Sequence, residues 1–418
     1  MRTSAASFVL LSLAACFAVG CSQGVDLSSL DPVATAAAEE PKTPAAETPA
    51  PQNPAPAAVA AVPGPLNASA KSWPLFRGGS LANGVAPGVL PEKLELLWRF
   101  EVEKGAFEGT AAIVDGVAYI GDLDGKVYAL SMATGAKQWE YKVEDFGGFA
   151  ASPAVRDGNV FIGDIDGRFF CLDAASGKLK WAFAAEAEID ASANFFQDKV
   201  IVGSQDANLY CLEAATGKLV WKFAIDDQIR CSPTIVEDRA FVAGCDSEFH
   251  IIDLVKGTEV NAVTIDSPTG VTPAVHDQYV YFGTESGSFF CVDWKNAKVE
   301  WTFQEDRGSQ AFRSSAAISD GLVIVGARSR KVYALDSKTG EIKWTFVAKG
   351  RIDSSPVVVG DRVFVGGTDG RLYELDKKTG EKRWEFESGD GFTGSPAVAD
   401  EKLVIADDGG VVYCFGKK

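Results

Sequence analysis

From residue 94 onward, short apolar runs alternate with clusters of Asp, Gly, Asn and Lys, and no stretch sustains a helical period. One unit shows the pattern. Residues 151–155, 159–163, 168–173 and 178–183 each mix apolar with polar or small residues and are bounded by turn formers. That predicts four short strands, a to d. Asp157-Gly158 is a hairpin signal between a and b, and Gly177 offers φ > 0 before d.

The unit repeats. DGKVYALSMATGAKQW ends at Trp139, DGRFFCLDAASGKLKW at Trp181 and DANLYCLEAATGKLVW at Trp221. SRKVYALDSKTGEIKW ends at Trp344 and DGRLYELDKKTGEKRW at Trp384. With Trp98, Asn261 and Trp301 in register, the spacings are 41, 42, 40, 40, 40, 43 and 40. Two copies are worn. Val260-Asn261 stands where a tryptophan belongs, and Asn296-Ala297 replaces Thr-Gly.

Four-stranded units of about forty residues predict an all-β, eight-bladed propeller. The chain ends on a strand c at residues 411–415 with no strand d after it, while an orphan strand at 96–100 comes first. Pairing these two closes an eighth blade and removes the open edges of a linear array. One ring per unit falls mid-strand c: Tyr128, Phe170, Tyr210, His250, Phe290, Tyr333, Tyr373 and Tyr413. This predicts a packing layer between blades, with His250 standing in for an aromatic.

The N-terminus changes the picture of location. Arg2 precedes an apolar run from Phe8 to Val19, too short to span a bilayer and suited to an export signal over residues 1–20. The ending resembles a bacterial lipobox. Cys21, where the apolar run stops, is the expected lipid site; Cys16 is the competing one. Residues 21–72 lack aromatics and carry nine of the 18 prolines, which predicts a disordered tether. Residues 73–93, opening Trp73-Pro-Leu-Phe-Arg77-Gly78, read as a lead-in packed on the ring at 94–418.

Charge and composition exclude some chemistry. A net charge of −17 argues against a nucleic-acid partner, which needs clustered Lys and Arg. Two histidines leave little for a zinc enzyme or a Ser-His-Asp hydrolase. No cofactor or metal is expected. Cys171, Cys211, Cys291 and Cys414 share one strand-c position and read as small buried hydrophobes. Counting from a turn near Asp238 with Val236 opposite Ala240 would set Cys231 opposite Cys245, a spacing that admits a cross-strand disulfide in an exported protein.

The segment Ala334-Leu-Asp-Ser-Lys-Thr-Gly340-Glu-Ile-Lys-Trp344 resembles the tryptophan-docking motif of the pyrroloquinoline-quinone (PQQ) type propeller family. The resemblance covers residues 94–418. It implies that Trp98, Trp139, Trp181, Trp221, Trp301, Trp344 and Trp384 each pack on a glycine turn of the next blade. That family holds quinoprotein dehydrogenases, and also non-enzymatic lipoproteins of the BamB type that help insert β-barrels into the outer membrane. Length, lipid signal, short loops and the absence of a Cys-Cys pair resemble the second kind. The resemblance implies a monomeric scaffold for envelope proteins on the periplasmic side of the outer membrane, held to the membrane by its lipid alone. A small-ligand receptor at the channel mouth and a PQQ-dependent dehydrogenase stay open as alternatives.

The candidate site comes from the repeat itself. Three residues before each strand-a proline, or its equivalent, stand Glu108, Ala150, Asp190, Arg230, Gly270, Arg313, Asp353 and Thr393. In a propeller these positions surround one mouth of the channel. Glu108, Asp190, Arg230, Arg313 and Asp353 would form a polar ring for a ligand or a partner's side chain, or a hydrated lining knit by its own ion pairs.

Overall fold

The computed structural model describes residues 64–103, 105–144, 147–305 and 310–418. The export signal, Cys16, Cys21 and the chain up to residue 63 lie outside the described residues. The described chain forms eight antiparallel four-stranded sheets, one of them joined by an extra parallel strand. Blades 1 to 7 follow the chain. Blade 8 takes strands a to c from Ala397–Ala399, Lys402–Ala406 and Val411–Gly416, and strand d from Glu95–Glu101. Trp98 pairs with Cys414 and Glu101 with Val411, so the two ends of the ring are hydrogen-bonded together.

The a–b turns explain the strand register. Asp157 and Gly158 have φ of 49° and 69°, the two-residue turn whose twist matches its strands. Strands b and c differ from the expected alternation. Val127–Leu130 and their equivalents are buried on both faces, because a blade inside the ring has a neighbour on each side. Only the outermost strand d alternates, as in Leu179–Ala184.

The hydrophobic core is therefore a set of seams, each joining two adjacent blades. Six of the eight seams have two docking elements. Six strand-d tryptophans stand on the next blade's glycine: Trp98 on Gly135, Trp139 on Gly177, Trp181 on Gly217, Trp221 on Gly257, Trp301 on Gly340 and Trp344 on Gly380. Their Nε1 donates to a carbonyl of the same turn, at 2.8 Å for Trp344 to Lys377. Trp384 faces the closing blade, which has no such turn, and packs on Phe415 instead. Two residues after the tryptophan a second ring meets the strand-c aromatic of the next blade. Phe100 meets Tyr128 at 5.2 Å, Phe183 meets Tyr210 at 5.0 Å and Phe386 meets Tyr413 at 5.2 Å.

The worn positions belong to one seam. Blade 4 has Asn261 and Val263 where the two rings would be, and blade 5 has Ala297 where the glycine would be. A Cβ at Gly340 would lie 2.6 Å from its tryptophan, so the seat must be glycine only where an indole sits on it. Once the indole is gone, alanine fits, even at φ 48°. Trp294 fills part of the gap against Phe241, with ring centroids 5.4 Å apart.

His250 replaces a tyrosine in hydrogen bonding as well as in shape. Tyr128 and Tyr210 donate to Asp122 and Asp206 of their own b–c turns, and His250 Nε2 lies 2.9 Å from Asp246 in the same place. The carboxylate of Asp122 also accepts the amides of Asp124 and Lys126, which makes it part of the turn.

The lead-in closes one end of the channel. It crosses all eight inner strands in order, through Ala70 O from Asp400, Trp73 with Ile113, Pro74 O from Val155, and Ser80 O from Asn194 and Ile235. Leu81, Asn83 and Gly84 then accept from Val275, Ile318 and Val358, and Val85–Ala86 adds a parallel strand to blade 7. The last residues assigned to the tether, expected to reach residue 72, belong to the lead-in instead. Leu66 and Ala68 already pack on the ring, and Ser80 Oγ donates to Leu66 O at 3.0 Å.

Candidate functional site

The channel is a well of about 270 Å³. All eight strand-start positions line its rim, and Phe76 of the lead-in lines its other end. Two residues further along each strand start lies a hydroxyl: Thr110, Ser152, Ser192, Ser232, Thr272, Ser315, Ser355 and Ser395. These form a belt that ties blade to blade. The amide of Thr110 donates to Ser152, Ser152 to Ser192, Ser192 to Ser232 and Ser232 to Thr272, at 2.8–3.0 Å. Ser315 donates to Ser355, Ser355 to Ser395 and Ser395 to Thr110, at 2.9–3.1 Å. Among the described residues only the step from Thr272 to Ser315 lacks this bond. The sequence signal is a hydroxyl before the strand-a proline or alanine in every copy, uncharged and therefore inconspicuous beside the rim residues.

The rim charges do not pair with one another as the ring picture suggests. Arg328, from the b–c turn of blade 6, grips Asp353 through Nε and Nη2 at 2.8 and 2.9 Å. Arg313 donates from Nε to Glu285 at 2.9 Å. Among the described residues Arg230 hydrogen-bonds only to amide oxygens, Gln228 at 3.0 Å and Gln205 at 3.4 Å. Between Arg230 and Arg313 the rim residue is Gly270, and the missing side chain opens a lobe of about 310 Å³ that reaches Cys245 and Glu285. Arg328 and Glu285 were not legible as site residues, because each sits in a b–c turn outside the repeated rim position.

Asp190 is the strained member. Gln205 donates to one of its oxygens at 3.0 Å and the other is buried without a partner. Burial pushes its pKa up to about 6, against the opposing pull of Arg230 and its own hydrogen bonds. Glu108 is also raised, by burial first and then by Asp408. In the unfolded chain Asp190 ionises near pH 4; in the ring it does so near 6. Its charge therefore destabilises the ring above pH 6, and the penalty fades as pH falls toward 4. Asp190→Asn is expected to stabilise the ring by about 1–2 kcal/mol at pH 7.5, with no gain at pH 4. Urea unfolding at the two pH values checks this.

The expected cysteine register is corrected. The a–b turn of blade 4 has two residues, Glu237 and Asp238, so Val236 pairs with Arg239 and Ala240 with Ile235. Cys231 then does not fall opposite Cys245, and both thiols are free. Cys231 is buried at 0% exposure, and burial pushes its pKa up to about 12. Cys171, Cys211, Cys291 and Cys414 are buried free thiols in the seams.

A calcium-bound quinone would need six to eight oxygen donors around the ion. Asp353 is taken by Arg328 and Glu285 by Arg313. Among the described residues no group of three or more His, Cys, Asp or Glu is placed to hold a metal ion. The residues present do not fit that group.

Known proteins share this architecture. BamB from Moraxella catarrhalis is 21% identical with a TM-score of 0.67, covering 78% of this chain and 98% of its own. The computationally designed Ika8 protein is 16% identical with a TM-score of 0.69, over 77% of this chain and 100% of its own. The quinohemoprotein alcohol dehydrogenase of Comamonas testosteroni is 16% identical with a TM-score of 0.72, over 83% and 81%. At these identities the likeness is one of fold. No curated protein matches the sequence. The family model described as outer membrane protein assembly factor BamB matches residues 171–302 and 301–418, more than half of the chain. With its docked tryptophans and closed ring of eight blades, the chain belongs to this BamB family of PQQ-like propellers.

Proposed function

We propose that the protein is a non-enzymatic, lipid-anchored scaffold on the periplasmic side of the outer membrane. Cys21 carries the lipid, and the Ala/Pro-rich segment holds the ring away from the bilayer. The partner is a component of the β-barrel assembly machinery, engaged at the open rim of the well. Family membership supports the partner class. The observation that carries the binding site is Arg230. It is exposed at the rim, among the described residues its guanidinium hydrogen-bonds only to neutral amide oxygens, with Asp190 acting on it through space rather than in an ion pair, and Arg313 stands across Gly270. A carboxylate from the partner would complete this pair with charge-assisted bonds. A rigid ring presents such a group without losing conformational freedom on binding.

The test is capture from solubilised envelopes by the full chain. Barrel-assembly components are expected with the natural chain and with Cys21→Ala, which releases the ring from the membrane without altering its rim. Arg230→Ala with Arg313→Ala should cut that recovery about tenfold, the loss of roughly one charge-assisted bond. Undiminished recovery by the double variant rejects the rim site.

A further inference from the structure

We propose that the rim face carries a second docking surface, a basic sector formed by Arg330, Lys349 and Arg351, which takes an acidic, extended segment of a partner protein. None of the three lines the well or its lobe, and neither reading depends on the other.

The sector is where the repeat reverses its charge. In the linker from strand d of one blade to strand a of the next, Lys349 and Arg351 hold the places of Glu186 and Glu188 before blade 3, and of Asp226 and Gln228 before blade 4. In the b–c turns, Asp122-Leu-Asp124 of blade 1 and Asp164-Ile-Asp166 of blade 2 stand where blade 6 has Ala327-Arg328-Ser329, followed by Arg330. A repeat puts equivalent residues at equivalent places on the face, so the changes in this turn and this linker converge on one sector.

Arg330 stands at a strained position. Its φ is 66°, the left-handed conformation taken there by Gly125, Gly167 and Gly370 in other turns. The other seven blades fill that position with glycine, alanine or serine. A long side chain in this conformation carries a cost, which points to a use for its charge.

The turn and the linker are bound together. The Ala348 amide donates to Arg330 O at 2.8 Å, the Ile352 amide to Ala327 O at 3.2 Å, and the Thr368 amide of blade 7 to Arg351 O at 2.9 Å. A Cβ on Gly350 would lie 2.5 Å from the Asp369 amide nitrogen, so the linker is pressed onto blade 7 between its two cations. The adjoining cations are engaged: Arg328 holds Asp353, and Lys331 lies 3.9 Å from Glu305 and over the Tyr333 ring. Arg330, Lys349 and Arg351 are exposed, and among the described residues none of them has an ion-pair partner. Asp369 accepts the amides of Lys349 and Gly350 rather than a cationic head, and offsets part of the charge.

Two guanidiniums and an ammonium on one turn and linker suit carboxylates, which accept charge-assisted hydrogen bonds. A protein segment fits better than an anionic membrane. A bilayer would meet the whole rim face, where exposed Glu186, Glu188, Asp226 and Asp390 repel it, whereas an extended chain meets the sector alone. The net charge of −17 opposes acidic partners at a distance, so the contact rests on the sector's own charges at short range.

The full chain carrying Cys21→Ala, free of lipid, is titrated into a fluorescein-labelled octapeptide of alternating Glu and Gly and followed by anisotropy. The Glu peptide is expected to bind, and a matched peptide of Gln and Gly is not. Arg330→Glu with Lys349→Glu and Arg351→Glu should weaken the Glu peptide at least about tenfold. Lys178→Glu with Lys218→Glu and Lys338→Glu changes the net charge equally, from exposed c–d turns at the other end of the blades, and should leave binding within about twofold. Arg330→Gly keeps the backbone bonds and relieves the left-handed strain, so Tm should stay or rise while the Glu peptide binds more weakly. No binding of the Glu peptide, equal binding of the Gln peptide, equal losses in the two triple variants, or a lower Tm for Arg330→Gly overturns the surface. So does binding to vesicles of equal parts phosphatidylcholine and phosphatidylglycerol that the first triple variant loses, which would assign the sector to lipid.

Discussion

Trp344→Ala is expected to destabilise the ring by about 3–5 kcal/mol, the range for emptying a large buried aromatic site. Trp344 is 7% exposed, donates to Lys377 O at 2.8 Å and stands on Gly380. Gly380→Ala attacks the same seat from the other side. A Cβ there lies 2.5 Å from Trp344 Cε3, and φ is 73°. Steric overpacking and left-handed strain together should cost about 2–5 kcal/mol. The worn seam is the internal control. Asn261 occupies the tryptophan position in blade 4 and is exposed, so Asn261→Ala should stay within about 0.5 kcal/mol. Urea midpoints at constant m-value check the series. Equal losses for Trp344→Ala and Asn261→Ala would remove the docking account.

Deletion of residues 411–418 is expected to abolish the cooperative ring. Val412, Tyr413, Cys414 and Phe415 are buried between blades 7, 8 and 1. At roughly 1.5–3 kcal/mol for each large apolar side chain, the loss is about 5–10 kcal/mol, comparable with the whole stability of an ordinary domain. The strand pairs on one side with Lys402–Ala406 and on the other with Glu95–Glu101. Its removal strands residues 95–101 and bares two sheet edges, a template for aggregation. Deleting Lys417 and Lys418 alone, both exposed, should change nothing. Soluble yield and near-ultraviolet circular dichroism separate the two truncations. A soluble, cooperatively unfolding protein lacking 411–418 would mean that closure is not what holds the ring.

Some of the candidate site was legible because a repeat fixes radius. Residues at one position of the unit land at one distance from the axis, so Glu108, Asp190, Arg230, Arg313 and Asp353 could be gathered at a mouth from spacing alone. The same logic could have found the Ser/Thr belt and the aromatic two places after each tryptophan. Both recur in the sequence, and the second is lost with the tryptophan at Asn261-Ala262-Val263. Partners were not legible. The period says that Arg313 and Asp353 share a rim, but their ion pairs go to Glu285 and Arg328, on neighbouring b–c turns.

The sequence by itself determined the strands, the number of blades and the closure of the ring. Each follows from a local pattern copied eight times, and any one copy reports on the rest. Tertiary structure alone decided the lead-in's path, the register that separates Cys231 from Cys245, and the burial of Arg77 against the carbonyls of Ala316 and Pro356. The lead-in occurs once, and its hydrogen bonds reach from Ile113 to Asp400. No period constrains such contacts. A single turn of two residues instead of three moves every side chain after it to the other face.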